Sequence, residues 1–129
     1  MGGSLVALGL AVVLVTGAPP PTVRMVVADL PYARVWDTAV RALADYPIER
    51  AADGVVVTGW RERDPRGDEA GWRRVRERVT LHVEPMADRI TRITAEAEVE
   101  GRRDGEWLPL EAERAAVVRA VMDRLRLVQ

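Results

Sequence analysis

Few side chains in this sequence are of the types that carry out nucleophilic or metal chemistry. The chain has no cysteine and one histidine, His82, and its single serine is Ser4 near the N-terminus. General-base catalysis and metal binding need partner residues at a defined spacing, and His82 has none. There is also no glycine-rich phosphate loop and no nucleophile elbow. The sequence therefore predicts a protein that is not an enzyme, with no catalytic residues, no metal site and no cofactor.

Acidic residues cluster around one predicted turn, where Asp64, Asp68 and Glu69 lie close together in the sequence. A calcium-binding loop would need more regularly spaced oxygen ligands. Arginines surround the three acids, at Arg61, Arg63, Arg66 and Arg73. We therefore expect a solvated loop whose charges pair with one another.

The overall charge argues against a nucleic-acid partner. The chain carries 19 basic and 20 acidic side chains, a net charge of −1, whereas nucleic-acid binders show a basic excess. The predicted strand at residues 72–84 has arginines on one face, and the strand that follows has glutamates. Two antiparallel registers keep the apolar faces together, with Arg78 opposite either Glu96 or Glu98. In both registers a basic strand neutralises an acidic one.

Two tryptophans provide the candidate interaction surface. If residues 64–67 close a hairpin, Trp60 faces Trp72 on the same side of the sheet as Arg74 and Arg76. Tryptophan and arginine are enriched at protein interfaces, so these four residues form the candidate surface. Two alternatives remain open: the tryptophans are a cross-strand pair that stabilises a polar sheet, or a bulge turns them inward. The opposite face would hold Val55, Val57, Val75 and Val79, with Trp107 capping the edge of the core.

The N-terminus has the pattern of an export segment. Residues 5–15 are almost continuously apolar, and the first charged residue is Arg24. This length is typical of a secretory signal and is short for a membrane span, although a buried N-terminal helix is an alternative. We expect a signal peptide or N-terminal membrane anchor at 1–18, a proline-rich spacer at 19–23 and one domain at 24–129. The protein is then exported, and is periplasmic or membrane-associated in the bacterial envelope.

Helical and alternating patterns give the fold. An apolar stripe predicts a helix that starts at Tyr32, is capped by Asp29 and ends before Pro47, and a second helix opens at Pro109. Three strands separate them, giving the order β-α-β-β-β-α. We expect an α+β fold in which an antiparallel β-meander packs against two helices in a helix-grip-like, two-layer sandwich. The predicted core residues are Val35, Trp36, Val40, Leu43, Val79, Leu81, Val83, Val118, Val121 and Leu125.

Three stretches carry a family resemblance: VWDTAVRAL at 35–43, IERA at 48–51 and GVVVTGW at 54–60. They resemble the helix-grip domains of BamC-type lipoproteins of the outer-membrane barrel assembly machine, over roughly residues 30–127. The resemblance implies a non-enzymatic periplasmic domain that makes protein–protein contacts at a membrane. Ala18 stands where such lipoproteins have the lipidated cysteine, so a lipid anchor at this position is excluded.

The functional expectation is a non-enzymatic cell-envelope protein that acts as an interaction or assembly accessory domain at a membrane. Its partner would be another envelope protein, with membrane association through residues 1–18. The alternative is a carrier for a small apolar ligand or lipid, held in a cavity between sheet and helix. Ala95 and Ala97 on the inner face, together with the absence of phenylalanine, would leave room for such a ligand.

Overall fold

Within residues 23–125, seven antiparallel strands form one sheet, and two helices cover one of its faces. This is a computed structural model, and it describes residues 23–125. The predicted segment at 1–18 therefore lies outside the described residues, and the first strand begins at Val23, the last residue of the predicted spacer. The α+β fold with an antiparallel meander packed against two helices is confirmed.

The sheet contains more strands than the sequence predicts. One predicted strand near residue 55 is a hairpin of two, and two short strands are added. The helices are α1 (Tyr32–Ala42) and α2 (Arg114–Leu125), with 3-10 turns at Gly67–Glu69 and Glu111–Glu113. The strands are β1 (Val23–Ala28), β2 (Ile48–Ala52), β3 (Val55–Thr58), β4 (Arg61–Arg63), β5 (Arg74–Ala87), β6 (Ile90–Arg103) and β7 (Glu106–Pro109).

The long β5–β6 hairpin is the centre of the sheet. The strand order is β1-β6-β5-β3-β2, while β4 also pairs with β5 and β7 with β6. In the β5–β6 register, Arg78 lies opposite Glu98 and Arg76 opposite Glu100. Of the two registers that the sequence allows, this is the second. It sets two arginines of β5 against glutamates of β6, and Glu84 of β5 against Arg92 of β6.

The core lies between the sheet and the helices. On β5 and β6 the odd-numbered residues from Val75 to Gly101 face the helices and are mostly buried, because strand side chains alternate between faces. Eight of the ten predicted core residues are buried, and Trp36 and Val40 pack half-buried against them. The predicted cap of α1 is wrong: Pro31 occupies the N-cap position, with no capping side chain.

Strand β3 presents the opposite face from the one predicted. Val56 and Thr58 are buried towards the helices, whereas Val55 and Val57 lie on the other face. The pairing of β3 with β5 accounts for this, because Val56 lies opposite the buried Leu81. The chain enters β3 through a tight β2–β3 turn, in which Asp53 has φ 55° and Gly54 φ 78°. Asp-Gly favours such two-residue turns. A β-carbon at Gly54 would also approach the Val83 carbonyl oxygen to 2.8 Å.

Candidate functional site

A cluster of stacked arginines and tryptophans lies on the face of the sheet opposite the helices, which we call the outer face. Both Arg76 and Arg78 place their guanidinium groups over the Trp60 ring, 4.2 and 4.4 Å from its centroid. Arg76 also lies 4.4 Å from the Trp107 centroid, and Arg102 lies 5.5 Å from it. We call these five residues the Arg–Trp cluster. Arg76 joins its two indoles.

A change of register positions Trp60. Val57 pairs with Thr80, but Arg61 pairs with Glu77, so one extra residue lies on the chain between β3 and β4. This bulge leaves Trp60 next to Arg78 on the outer face. A bulge of this kind redirects the side chains that follow it.

A second tight turn positions Trp107, which pairs with Arg102 across β6 and β7. Asp104 and Gly105 both have positive φ, at 53° and 82°. The Asp-Gly pair is a sequence signal for a hairpin. This signal is present in the sequence, and it places Trp107 on a strand that follows the turn. The prediction that Trp107 caps the core edge is wrong, because this tryptophan belongs to the outer face.

Ion pairs neutralise most of the charge on the outer face. Arg76 donates to Glu100 from Nε at 2.8 Å and from a terminal nitrogen at 2.5 Å. Arg78 pairs with Glu98, and Arg92 with Glu84. Each such cross-strand pair is worth about 0.2–1 kcal/mol, so the pairs set the register more than they add stability. The resulting face is nearly neutral and carries aromatic rings.

The predicted four-residue surface is not brought together. Trp72 lies on the helix side over Gly101, with the Arg103 guanidinium 3.9 Å from its centroid. It therefore does not face Trp60, and its pairing across a 64–67 hairpin is wrong. Arg74 lies at the rim, where it pairs with Asp64 at 2.6 Å. Trp60 and Arg76 remain in one site.

A buried ion network lies on the helix side, where the sequence predicts a solvated loop. Arg63 donates to Glu69 at 2.6 and 2.8 Å and to Glu77 at 2.7 Å. The Tyr46 hydroxyl donates to the same Glu77. The Glu69 side chain is only 3% exposed and that of Arg63 11%, so the prediction of a solvated loop fails for these two residues. We call these four residues the buried ion network.

The pKa shifts in this network follow from its hydrogen bonds and burial. Hydrogen bonding from Arg63 lowers the pKa of Glu69, and hydrogen bonding to Glu69 raises the pKa of Arg63. Burial, then the hydrogen bond to Glu77, raises the pKa of the Tyr46 phenol. Each charge in the network has a partner, which is the condition for tolerating buried ions. Its main effect is to hold residues 63–77 against the core.

Glu113, the last residue of the 3-10 turn that precedes α2, borders the network. Burial raises its pKa, and the nearby Glu69 and Asp68 raise it further. Glu113 also lines a cavity of about 290 Å³, together with Arg63, Glu69 and Ala116 among others. The 3-10 turn before α2 therefore meets the loop through the carboxyl groups of Glu113 and Glu69, which repel when both are ionised.

The described cavities have charged linings. A cavity of about 270 Å³ is lined by Glu49, Arg78, Glu98 and Arg114, among others. Ala95 and Ala97 are buried in the core. An apolar ligand needs an apolar lining, and these cavities do not offer it.

Within residues 23–125, neither helix has the length and hydropathy of a membrane span. In the same part of the chain, no three histidine, aspartate or glutamate side chains converge as ligands for a metal ion. No protein-family model matches the chain, and no curated protein matches it.

Proposed function

We propose that this protein is a non-enzymatic interaction domain of the bacterial cell envelope, and that it binds another protein through the outer face. The observation that carries the proposal is the Arg–Trp cluster. Tryptophan and arginine are the residues most enriched among those that dominate binding energy at interfaces. Here both types occur together on a face that the helices leave uncovered.

The cluster is held in place before any partner arrives. Arg76 is fixed by Glu100 as well as by the two rings, and its side chain is 24% exposed. Trp107 is carried on a regular strand. Side chains that are already ordered lose little conformational entropy on binding, which favours affinity. The fixed positions of these side chains support a binding surface more than a tryptophan pair that only stabilises the sheet.

The charge balance indicates the kind of partner. Because two of the cluster's three arginines, Arg76 and Arg78, are paired with Glu100 and Glu98, the face offers little net attraction to a polyanion such as a nucleic acid. It fits a protein surface that presents apolar or aromatic groups to the indoles. The arginine guanidinium groups can in addition donate hydrogen bonds to carboxylates of that partner.

The envelope location is part of the proposal and rests on residues 1–18. An apolar stretch that is followed by small residues and prolines is typical of exported proteins. Fractionation of cells that express the chain tests it. Full-length protein in the cytosol with residues 1–18 intact would contradict the location but leave the outer-face site open.

Site-specific photo-crosslinking tests the binding surface. Glu62 is exposed and lies opposite Arg76, so a photoreactive residue there reports on the outer face. Arg119, exposed on α2, is the matched position on the helix side. We expect a protein adduct from position 62 that is lost in a Trp60→Ala, Trp107→Ala double variant. An adduct that persists in the folded double variant, or that forms only from position 119, would overturn the proposed surface.

A further inference from the structure

The two edges of the sheet differ in how they are protected. At one edge, β2 is interrupted by a bulge between Ile48 and Arg50 and carries the charged side chains of Glu49 and Arg50. Bulges and charges are the usual devices that prevent an edge strand from pairing with another chain. At the other edge, β1 has the sequence VRMVVA, with no proline, no acidic residue and six regular pairs with β6. Apart from the single charge of Arg24, this edge lacks those devices.

An apolar row accompanies the open edge. Val23, Met25 and Val27 pair with Glu96, Thr94 and Arg92 of β6, so all three point to the outer face. Their exposed fractions are 48%, 59% and 56%. Within residues 23–125, β1 has β6 as its one partner strand, so its other side is available for an added strand. Such a strand would contact the three apolar side chains from the side. We call Val23–Ala28, with this row, the β1 edge.

We propose that a second copy of this chain pairs with the β1 edge, antiparallel about a two-fold axis, with Met25 opposite Met25 of the second copy. The inference is independent of the Arg–Trp cluster. It joins two sheets into one continuous sheet of fourteen strands, twice the seven in each copy.

The sequence of β1 selects this register. Residues that face one another across antiparallel strands lie on the same side of the sheet. When the two strands are identical, the two-fold axis must therefore lie between the two copies of one residue, so that this residue faces itself. With the axis at Met25, Val23 lies opposite Val27 of the second copy, and every residue of the apolar row meets an apolar partner. Arg24 then lies opposite Val26, and no like charges oppose each other. With the axis at Val26, Val23 would instead meet Asp29.

The charge balance supports a second copy as the occupant. Arg24 is the one charged residue among the six of β1, and the register keeps the two copies of it apart. Like charges directly opposite each other destabilise a strand pair, whereas apolar pairs stabilise it. Two copies of the β1 edge can therefore pair without opposing like charges. The apolar residues 1–18 of the same chain, or a strand of another protein, would be the competing occupants.

A single-cysteine variant tests the pairing, because the chain has no cysteine of its own. Directly opposed residues of an antiparallel pair have Cα atoms about 4.5–5.5 Å apart, which is within the range for a disulfide. We expect mild oxidation of full-length Met25→Cys to give a covalent dimer. Ile48→Cys, on the β2 edge and 40% exposed, is the matched control. Equal dimer yields from the two variants would overturn the proposal.

A charge-pair experiment identifies the occupant. Full-length Met25→Lys and Met25→Asp should each dimerise at least tenfold more weakly than the unaltered chain, because like charges then oppose each other. An equimolar mixture should regain dimers, which ultracentrifugation detects as heterodimers. If the mixture stays monomeric while both variants are folded, the second copy is not the occupant. A monomeric chain whose β1 amides lose hydrogen-exchange protection when residues 1–18 are removed would likewise overturn the proposal in favour of that segment.

Discussion

Gly101 lies against the indole of Trp72, so closely that a β-carbon at Gly101 would stand 2.5 Å from Cδ2 of that ring. Real β-carbons essentially never come within 3.0 Å of such an atom, so the Trp72 ring can lie here only because residue 101 has no side chain. The contact explains why Trp72 is on the helix side of the sheet while Trp60 and Trp107 are on the outer face. It also gives the first prediction.

Gly101→Ala should destabilise the fold by about 1–3 kcal/mol, the usual cost of adding a methyl group where no space exists. Chemical denaturation measures the loss of free energy of unfolding. Gly71→Ala is the matched control, because its β-carbon would meet only the flexible end of Arg103 at 3.3 Å. Equal effects from the two substitutions would show that Trp72 does not pack over Gly101.

Arg63→Met should destabilise the fold by about 3–5 kcal/mol, because it leaves the carboxylates of Glu69 and Glu77 buried without their cation. Arg50→Ala, which removes an exposed pair with Asp53 at 3.0 Å, should cost no more than about 1 kcal/mol. Urea denaturation at neutral pH compares them. If the two costs are similar, the buried ion network is not what holds residues 63–77 in place.

The lowered pKa of Glu69 predicts a loss of stability in acid. Its ionised form is favoured in the folded state, so this contribution is present above the unfolded pKa and disappears as pH falls through the folded pKa. Glu69→Gln should therefore destabilise the protein at pH 7 and converge with the unaltered chain in acid. Thermal melts across pH follow the convergence. A constant difference at all pH values would contradict the assigned charge pairing with Arg63.

Glu113→Gln should have the opposite sign, because burial and the neighbouring carboxylates raise the pKa of Glu113. Its neutral form is favoured in the folded state, so its contribution is present in acid and lost as pH rises through the folded pKa. The substitution should raise the melting temperature at pH 7 and leave it unchanged below about pH 4. Glu111→Gln, which removes the exposed pair with Arg114 at 2.6 Å, should not stabilise. A stabilised Glu111→Gln or a destabilised Glu113→Gln would contradict the proposed repulsion.

Periodicity in the sequence was enough for the fold class, and it narrowed the central hairpin to two registers. Alternation along β5 and β6 leaves two registers, and the structure adopts the one with Arg78 opposite Glu98. Helix α1 begins at Tyr32 as the apolar stripe predicts. These features depend on local pattern and on complementary charge.

The site could be predicted only in part, because it depends on irregularities. The extra residue between β3 and β4 places Trp60 beside Arg78. The alternation of apolar and polar residues does not predict the position of such a bulge. The 3-10 turn at Gly67–Glu69 brings Glu69 back to Arg63. The many charged residues of this segment predict a solvated loop instead. Trp107 could have been placed from the Asp104-Gly105 turn signal.

The most direct test of the outer face as a binding surface is the Kd for the protein that is captured from position 62. Single Trp60→Ala and Trp107→Ala variants should each raise that Kd at least tenfold, the equivalent of about 1.4 kcal/mol. Arg119→Ala, on the helix side, should leave it unchanged. A Kd that stays within about twofold in both folded tryptophan variants would contradict binding through the Arg–Trp cluster.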